Sequence, residues 1–234
     1  MYKKIVLALS FAFLASCGGE KTNDNEVLLT GNIKGFKKGK LYVQRINDTT
    51  LVPLDTITLN GQSSFETKIA LDSPEMLYLF LDRGQTNSKD NNLLFFAEPG
   101  KMNIETDLES FLANAKITGS KNQDLYQEYK NMISLFNEEQ LNLLKAQVLG
   151  TRADKNYTAQ SNQAKQDQLL KRRYLYAANY AITHADYEVA PYIALTDIYD
   201  MQPRFLDSIA KKMTPKVAKS KYGKKFTAYL KEQK

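Results

Sequence analysis

Between Val27 and Thr118 the apolar residues come in short runs rich in β-formers, each closed by a turn signal. Val27 to Ile33 is the first run, Lys34 to Gly39 reads as a lysine-glycine turn, and Gly31, Gly35 and Gly39 are all read as turn glycines. Leu41-Tyr42-Val43 predicts a second strand and Leu51 to Leu59 a third. Pro53 marks the third as partly edge-like, because proline has no amide hydrogen for a ladder. Asn60-Gly61 then predicts a hairpin, since both central residues of a type I′ turn need positive φ. The chain should return through Ser63 to Ala70, where Phe65, Thr67 and Ile69 alternate with Ser64, Glu66 and Lys68. Met76 to Leu81 and Leu93 to Phe96 are almost continuously apolar, the mark of buried strands. Glu98-Pro99-Gly100 turns the chain into Lys101 to Thr106.

From Ser120 onward the period becomes helical. Ser120-Lys121-Asn122-Gln123 predicts a capping box, with the serine accepting from the helix and the glutamine reaching back. Leu125, Tyr129, Met132, Ile133 and Phe136 form one apolar stripe, and Gly150-Thr151 ends or interrupts that helix. Tyr157 to Gln168 is polar and weakly patterned, whereas Leu169 to Ile182 is a clearer helix. Pro191 suits the first turns of a helix reaching Tyr199, and Pro203 and Pro215 sit where first helical positions belong. The predicted class is α+β: an N-terminal antiparallel β-sandwich over residues 27–119, followed by a C-terminal α-helical region over 120–234.

The segment before the sandwich has another grammar. Lys3 and Lys4 precede an apolar run from Ile5 to Leu14, and the small residues Ala15 and Ser16 lead to Cys17. About 20 apolar residues are needed to span a bilayer, so this shorter run predicts an export signal. Leu14-Ala15-Ser16-Cys17 resembles the lipobox of bacterial lipoproteins. That resemblance implies cleavage between Ser16 and Cys17, a lipid anchor on the Cys17 thiol, a signal peptide over 1–16 and a polar tether over 17–26. Gly18 stands where an aspartate would favour the inner membrane, so the outer membrane is the expected address, with the periplasmic or surface face open.

Composition narrows the chemistry. An apolar fraction of 43%, with 14 Tyr and 11 Phe, supplies a globular core without disulfides, since Cys17 is the single cysteine. Net charge is +6, and residues 211–234 hold nine lysines against one acid. A solvated helix end is the plain reading of that tail, and contact with an anionic membrane or wall polymer is the next. Nucleic acid is excluded as a partner, because no basic motif with interleaved aromatics is present.

A second resemblance rests on several short pieces in order. These are Leu54-Asp55-Thr56, Asn60 to Phe65, Leu94 to Gly100, Ile117-Thr118-Gly119-Ser120, and Ser220 to Lys225. Together they resemble a domain of unknown function that often forms the N-terminal half of thioredoxin-like (TlpA/ResA-type) lipoproteins. The resemblance spans roughly residues 27–120, with a looser helical continuation. In the longer relatives a Cys-x-x-Cys thioredoxin fold follows; here no cysteine follows Cys17, so thiol exchange is not expected of this sequence.

Candidate chemistry is sparse, and no cofactor or metal site is expected. His184, the single histidine, lies near Asp186 and Glu188 and could serve as a base or metal ligand. A helix junction with Asp186 as N-cap and His184 at a helix C-terminus is the plainer reading. Asp197 and Asp200 are three apart on a helix and read as solvated charges. The polar loop Arg83 to Asn92 is longer than a hairpin needs; Arg83, Gln85, Asn87, Lys89 and Asn91 are its candidate binding residues. Tyr174, Tyr176, Tyr180, Tyr187, Tyr192 and Tyr199 fit amphipathic core positions better than a sugar platform. The leading expectation is a lipid-anchored, non-catalytic binding or scaffolding module that meets the membrane through Cys17 and another envelope protein elsewhere. The alternative is a carboxylate-dependent hydrolase of envelope polymer.

Overall fold

The computed structural model describes residues 25–84, 89–152 and 157–233. Among them eight strands come first: β1 (Glu26–Lys34), β2 (Lys38–Asn47), β3 (Thr50–Asn60), β4 (Ser64–Ala70), β5 (Glu75–Asp82), β6 (Asn92–Ala97), β7 (Gly100–Asp107) and β8 (Lys116–Thr118). Six helices follow: α1 (Lys121–Leu149), α2 (Ala159–Thr183), α3 (Val189–Asp197), α4 (Pro203–Lys212), α5 (Pro215–Lys219) and α6 (Lys221–Glu232). The strands form two four-stranded sheets in the orders β4-β1-β7-β8 and β3-β2-β5-β6. The sandwich is therefore as expected, with one exception to its antiparallel pairing: β1 runs parallel to β7.

The Asn60-Gly61 hairpin is the clearest correction. Gly61 does take a positive φ of 99°, but β3 pairs with β2 in one sheet and β4 with β1 in the other. The turn is a corner between sheets. Its local chemistry sets the chain reversal and says nothing about which sheet receives the next strand. The nearer link, Asp48-Thr49, already closes the β2–β3 hairpin, with Asp48 at φ 53°. Crossing over lets β4 place Phe65, Thr67 and Ile69 in the sandwich core, while most of β3 stays exposed. Asp55 accepts from Thr67 Oγ1 and so ties β3 to β4 across the corner.

Gly31 also departs from its reading as a turn glycine. It lies inside β1, where a Cβ would sit 2.4 Å from the Ile104 carbonyl oxygen and 2.6 Å from the Phe65 ring. The need there is for close approach, not for a special φ.

The continuous apolar runs of β5 and β6 have a simple cause: near the helices each strand is covered on both faces, although Leu94 farther along β6 stays 37% exposed. Leu77, Leu79, Leu81, Leu93 and Phe95 point into the sandwich. Met76 and Phe96 point the other way and belong to the core of the helices. At this end the molecule has three layers: sheet, sheet and helices. Phe96, with no exposed surface, is ringed edge-on by Tyr126, Tyr192 and Tyr222 at centroid distances of 6.4, 5.6 and 5.9 Å.

Helix α1 keeps only part of the expected stripe inside. Leu125, Tyr129, Ile133 and Phe136 are buried, but Met132 is 38% exposed because it points off the face that meets α2 and α3. No residue of α1 beyond Phe136 is buried. The polar stretch after Tyr157 is already helix, since α2 begins at Ala159 with the Thr158 hydroxyl accepting from Ser161 N at 3.1 Å. Pro203 and Pro215 open α4 and α5 as expected.

Because Phe96 is shared between the sheet and the helices, Phe96→Ala should lower stability by about 3–5 kcal/mol. Urea titration followed by circular dichroism checks this. Loss of helix signal together with sheet signal is the expected outcome.

Candidate functional site

The seam between sandwich and helices is built from polar residues as well as apolar ones. Ser120 starts it, accepting from Gln123 N at 3.0 Å as the N-cap of α1. Gln123 does not reach back to complete a capping box; its side-chain oxygen accepts from Phe96 N at 2.7 Å. The reason is the unpaired outer amide of β6, which a buried position must satisfy.

Asn122 is fully buried, and its side-chain amide joins three elements. The Nδ2 group donates to Glu98 Oε2 at 3.3 Å and to Glu188 Oε2 at 3.1 Å. The Oδ1 atom accepts from Val189 N at 2.9 Å, at the start of α3. Glu98 Oε2 also accepts from Asn122 N and from Ser120 Oγ, each at 3.1 Å, which places a carboxylate at the positive end of α1. Glu188 is 3% exposed, and its Oε1 has no hydrogen-bond partner. Burial pushes its carboxyl above the usual carboxylate range, while the Asn122 hydrogen bond and the nearby Lys216 charge pull the other way.

A second clamp lies beside the first. Glu75, its side chain 3% exposed at the start of β5, sits between the Arg45 guanidinium and the Lys221 ammonium. Removing both cations would leave a buried carboxylate uncompensated, a loss of about 3–5 kcal/mol. Lys221 N donates to Ser73 Oγ at 3.1 Å, and Tyr222 OH accepts from Met76 N at 3.0 Å. Ser220 caps α6 by accepting from Gly223 N at 3.2 Å. Gly223 is required by space, since a Cβ there would fall 1.9 Å from the Val217 carbonyl oxygen.

These elements enclose a cleft of about 1090 Å³. One wall is the β2–β3 hairpin with Arg45 and Ile46, and the facing wall is α5 and α6 with Lys216, Lys219, Lys221, Lys224 and Lys225. Glu75, Glu98 and Glu188 line its floor. Two of these three acids are spent on neighbours, so Lys219, Lys224 and Lys225 stand exposed without an ion pair among the described residues. Arg45 Nε on the hairpin wall and Glu188 Oε1 on the floor are both buried without a partner.

Residues 27–126 match a family model described as a domain of unknown function (DUF4369). The match runs past the last strand into the first turns of α1, so it takes in Glu75, Glu98, Asn122 and Gln123 but stops before Glu188 and the lysines. No curated protein and no solved structure matches the chain.

The residues singled out in the sequence fall in several places. Cys17, Ser16 and the tether as far as residue 24 lie outside the described residues, as do Gln85, Asn87 and the side chain of Lys89. Arg83 is exposed, and its guanidinium donates to the Leu108 carbonyl at 2.8 Å. Asn91 is buried. The N-cap of α3 is Glu188, not Asp186, because Asn122 draws Glu188 into the seam and leaves Asp186 exposed. His184 ends α2 as expected, its ring 4.3 Å from that of Tyr180.

Asp197 and Asp200 are not merely solvated. Tyr129 OH donates to Asp197 at 2.7 Å, and Tyr174 OH donates to Asp200 at 3.0 Å. Both tyrosines come from α1 and α2, which face this end of α3. The other tyrosines mostly pack as core and boundary residues, whereas Tyr199 is 52% exposed. Among the described residues no group of three His, Cys, Asp or Glu is placed to hold a metal ion.

Sequence reasoning missed Arg45, Glu75, Glu98 and Asn122. One signal was available: Asn122-Gln123 puts two amides in the first turn of an otherwise amphipathic helix. The raised carboxyl of Glu188 gives a signed prediction. The folded state holds that proton more tightly than the unfolded state, whose carboxyl stays near 4.5, so this contribution is present below about 4.5 and fades as pH rises through the folded value. Glu188→Gln should therefore raise the urea midpoint at pH 7, and the gain should vanish at acid pH.

Proposed function

We propose that this chain is a lipid-anchored cell-envelope protein acting as a non-catalytic binding or scaffolding module, accessory to envelope thiol-disulfide proteins. The observation that carries the binding role is the free end of the α1–α2 hairpin. Helix α1 has 29 residues, about 43 Å, and its last buried residue is Phe136. Beyond that point Leu141, Leu144 and Val148 are 50, 43 and 85% exposed. Their i, i+3, i+7 spacing is how an amphipathic helix seats itself in a groove of another protein. The anchor is supported by the run from Lys3 to Cys17, and the outer membrane by Gly18. Among the described residues no helix is long and apolar enough to cross a membrane.

A second reading, a carboxylate-dependent hydrolase of envelope polymer, has one observation in its favour. Glu98 and Glu188 converge on Asn122 in the cleft wall, and Glu188 keeps one oxygen without a partner. Hydrolysis of this kind needs two available carboxylates, and Glu98 is occupied by three donors as a helix cap. Polymer turnover that disappears in Glu188→Gln would promote this reading over the first.

Two experiments test the main proposal. Leu144→Asp with Val148→Asp should leave stability within about 0.5 kcal/mol, as surface changes do, and should abolish photo-crosslinking of a partner from position 141 in intact cells. An unchanged crosslink pattern would count against the hairpin. Cys17→Ser should eliminate lipid labelling and release the protein from the membrane fraction; persistence of both would end the anchor reading.

A further inference from the structure

We propose that the mouth of the seam cleft is a membrane-facing surface, which docks on the anionic, phosphate-bearing headgroup layer of the membrane that holds the Cys17 anchor. This inference rests on the lipid-anchor reading and adds to it a face, an orientation and a ligand chemistry.

Three independent features meet at that mouth. The first is the tether. Asn25, the first described residue, lines the cleft. Cys17 precedes it by eight residues, a reach of about 28 Å when fully extended. An anchored molecule therefore keeps this end of itself close to the bilayer. The second is charge. Lys216 and Lys219 on α5, with Lys224 and Lys225 on α6, are all exposed and all line the cleft. Asp48, Asp72 and Glu188, which lies near Lys216, are the acids left facing these four lysines, since Glu75 is held by Arg45 and Lys221, and Glu98 by Ser120 and Asn122. A bilayer surface rich in anionic lipid attracts each lysine that comes within a Debye length.

The third feature is apolar. At the tip of the β2–β3 hairpin, Ile46, Leu51 and Val52 are 42, 42 and 38% exposed. Ile46 and Leu51 are direct cross-strand partners, and Ile46 and Val52 line the same cleft as the lysines. A compact apolar tip beside a lysine face suits an interface where headgroups give way to acyl chains. A soluble polyanion would account for the lysines, but it leaves the apolar tip without a role.

The test uses a chain beginning at Gly18. Both hydrophobic cores lie within residues 27–230, so this chain retains the whole fold. It is mixed with phosphatidylcholine vesicles with or without phosphatidylglycerol, at low and high salt, and binding is read by co-sedimentation. The expected result is at least about tenfold tighter binding to the anionic vesicles, lost at high salt. Replacing Lys216, Lys219, Lys224 and Lys225 by Gln should remove that preference, and Ile46→Ser with Val52→Ser should weaken binding without altering its salt dependence. Equal binding to both vesicles, or full binding by the lysine variant, overturns the proposal. Tight binding of inorganic polyphosphate with none to vesicles also overturns it, in favour of a soluble polyanion. Since this chain lacks Cys17, the outcome is independent of acylation, which lipid labelling of the whole chain reads separately.

Discussion

The fold depends on how a sheet with apolar residues on both faces is closed at a polar edge. Met76 and Phe96 demand cover from the helices, but the same edge carries a buried carboxylate, unpaired strand amides and two helix starts. Asn122 resolves most of that conflict. With no surface of its own, it uses both ends of its amide to bind the β6–β7 turn, its own helix and the start of α3. A buried amide is stable only when its bonds are made, so these three elements are fixed together or not at all. Glu75 adds a second fixed point with Arg45 and Lys221. The helical half is thus docked by specific polar geometry over an aromatic contact, and its orientation on the sandwich is defined.

Much of this was legible in the chain, for reasons that differ by element. Period-2 and period-3.6 patterns marked most strands and helices, because alternation reports a face that must be buried. Proline at 203 and 215 marked helix starts, because it lacks an amide hydrogen at a position that needs none. The destination of β4 was not legible. Asn60-Gly61 encodes a reversal, and the choice between pairing beside β3 and crossing to β1 depends on contacts far away in sequence. The seam was hidden for a related reason. Glu98, Asn122 and Glu188 are ordinary polar residues one at a time, and they acquire a role only when three elements bring them together. Three of the five short pieces that carried the resemblance fall there: Leu94 to Gly100, Ile117 to Ser120 and Ser220 to Lys225 all border the seam, whereas Leu54 to Thr56 and Asn60 to Phe65 lie at the β3–β4 corner. Gly119 belongs to this set, since a Cβ on it would lie 2.1 Å from the Lys101 carbonyl oxygen. These three pieces are short because each supplies only the few residues that touch across the junction.

The far end of the molecule obeys different physics. Past Phe136, α1 and α2 are held by Leu143 and Ala146 on the inner face and by polar contacts. Asn162 donates to the Leu143 carbonyl at 3.3 Å, Gln166 to Gln147 at 3.1 Å, and Arg172 meets Glu139 at 3.4 Å. The exposed Arg172–Glu139 pair contributes about 0–1 kcal/mol, so the hairpin draws its order chiefly from helix length and from its root in the helical core. Leu141, Leu144 and Val148 contribute less to that account, because half or more of Leu141 and Val148 and over two fifths of Leu144 stay exposed. Apolar residues that folding does not use can change or be covered without disturbing the seam. This separation lets one end of the molecule be rigid and charged while the other offers a replaceable apolar face.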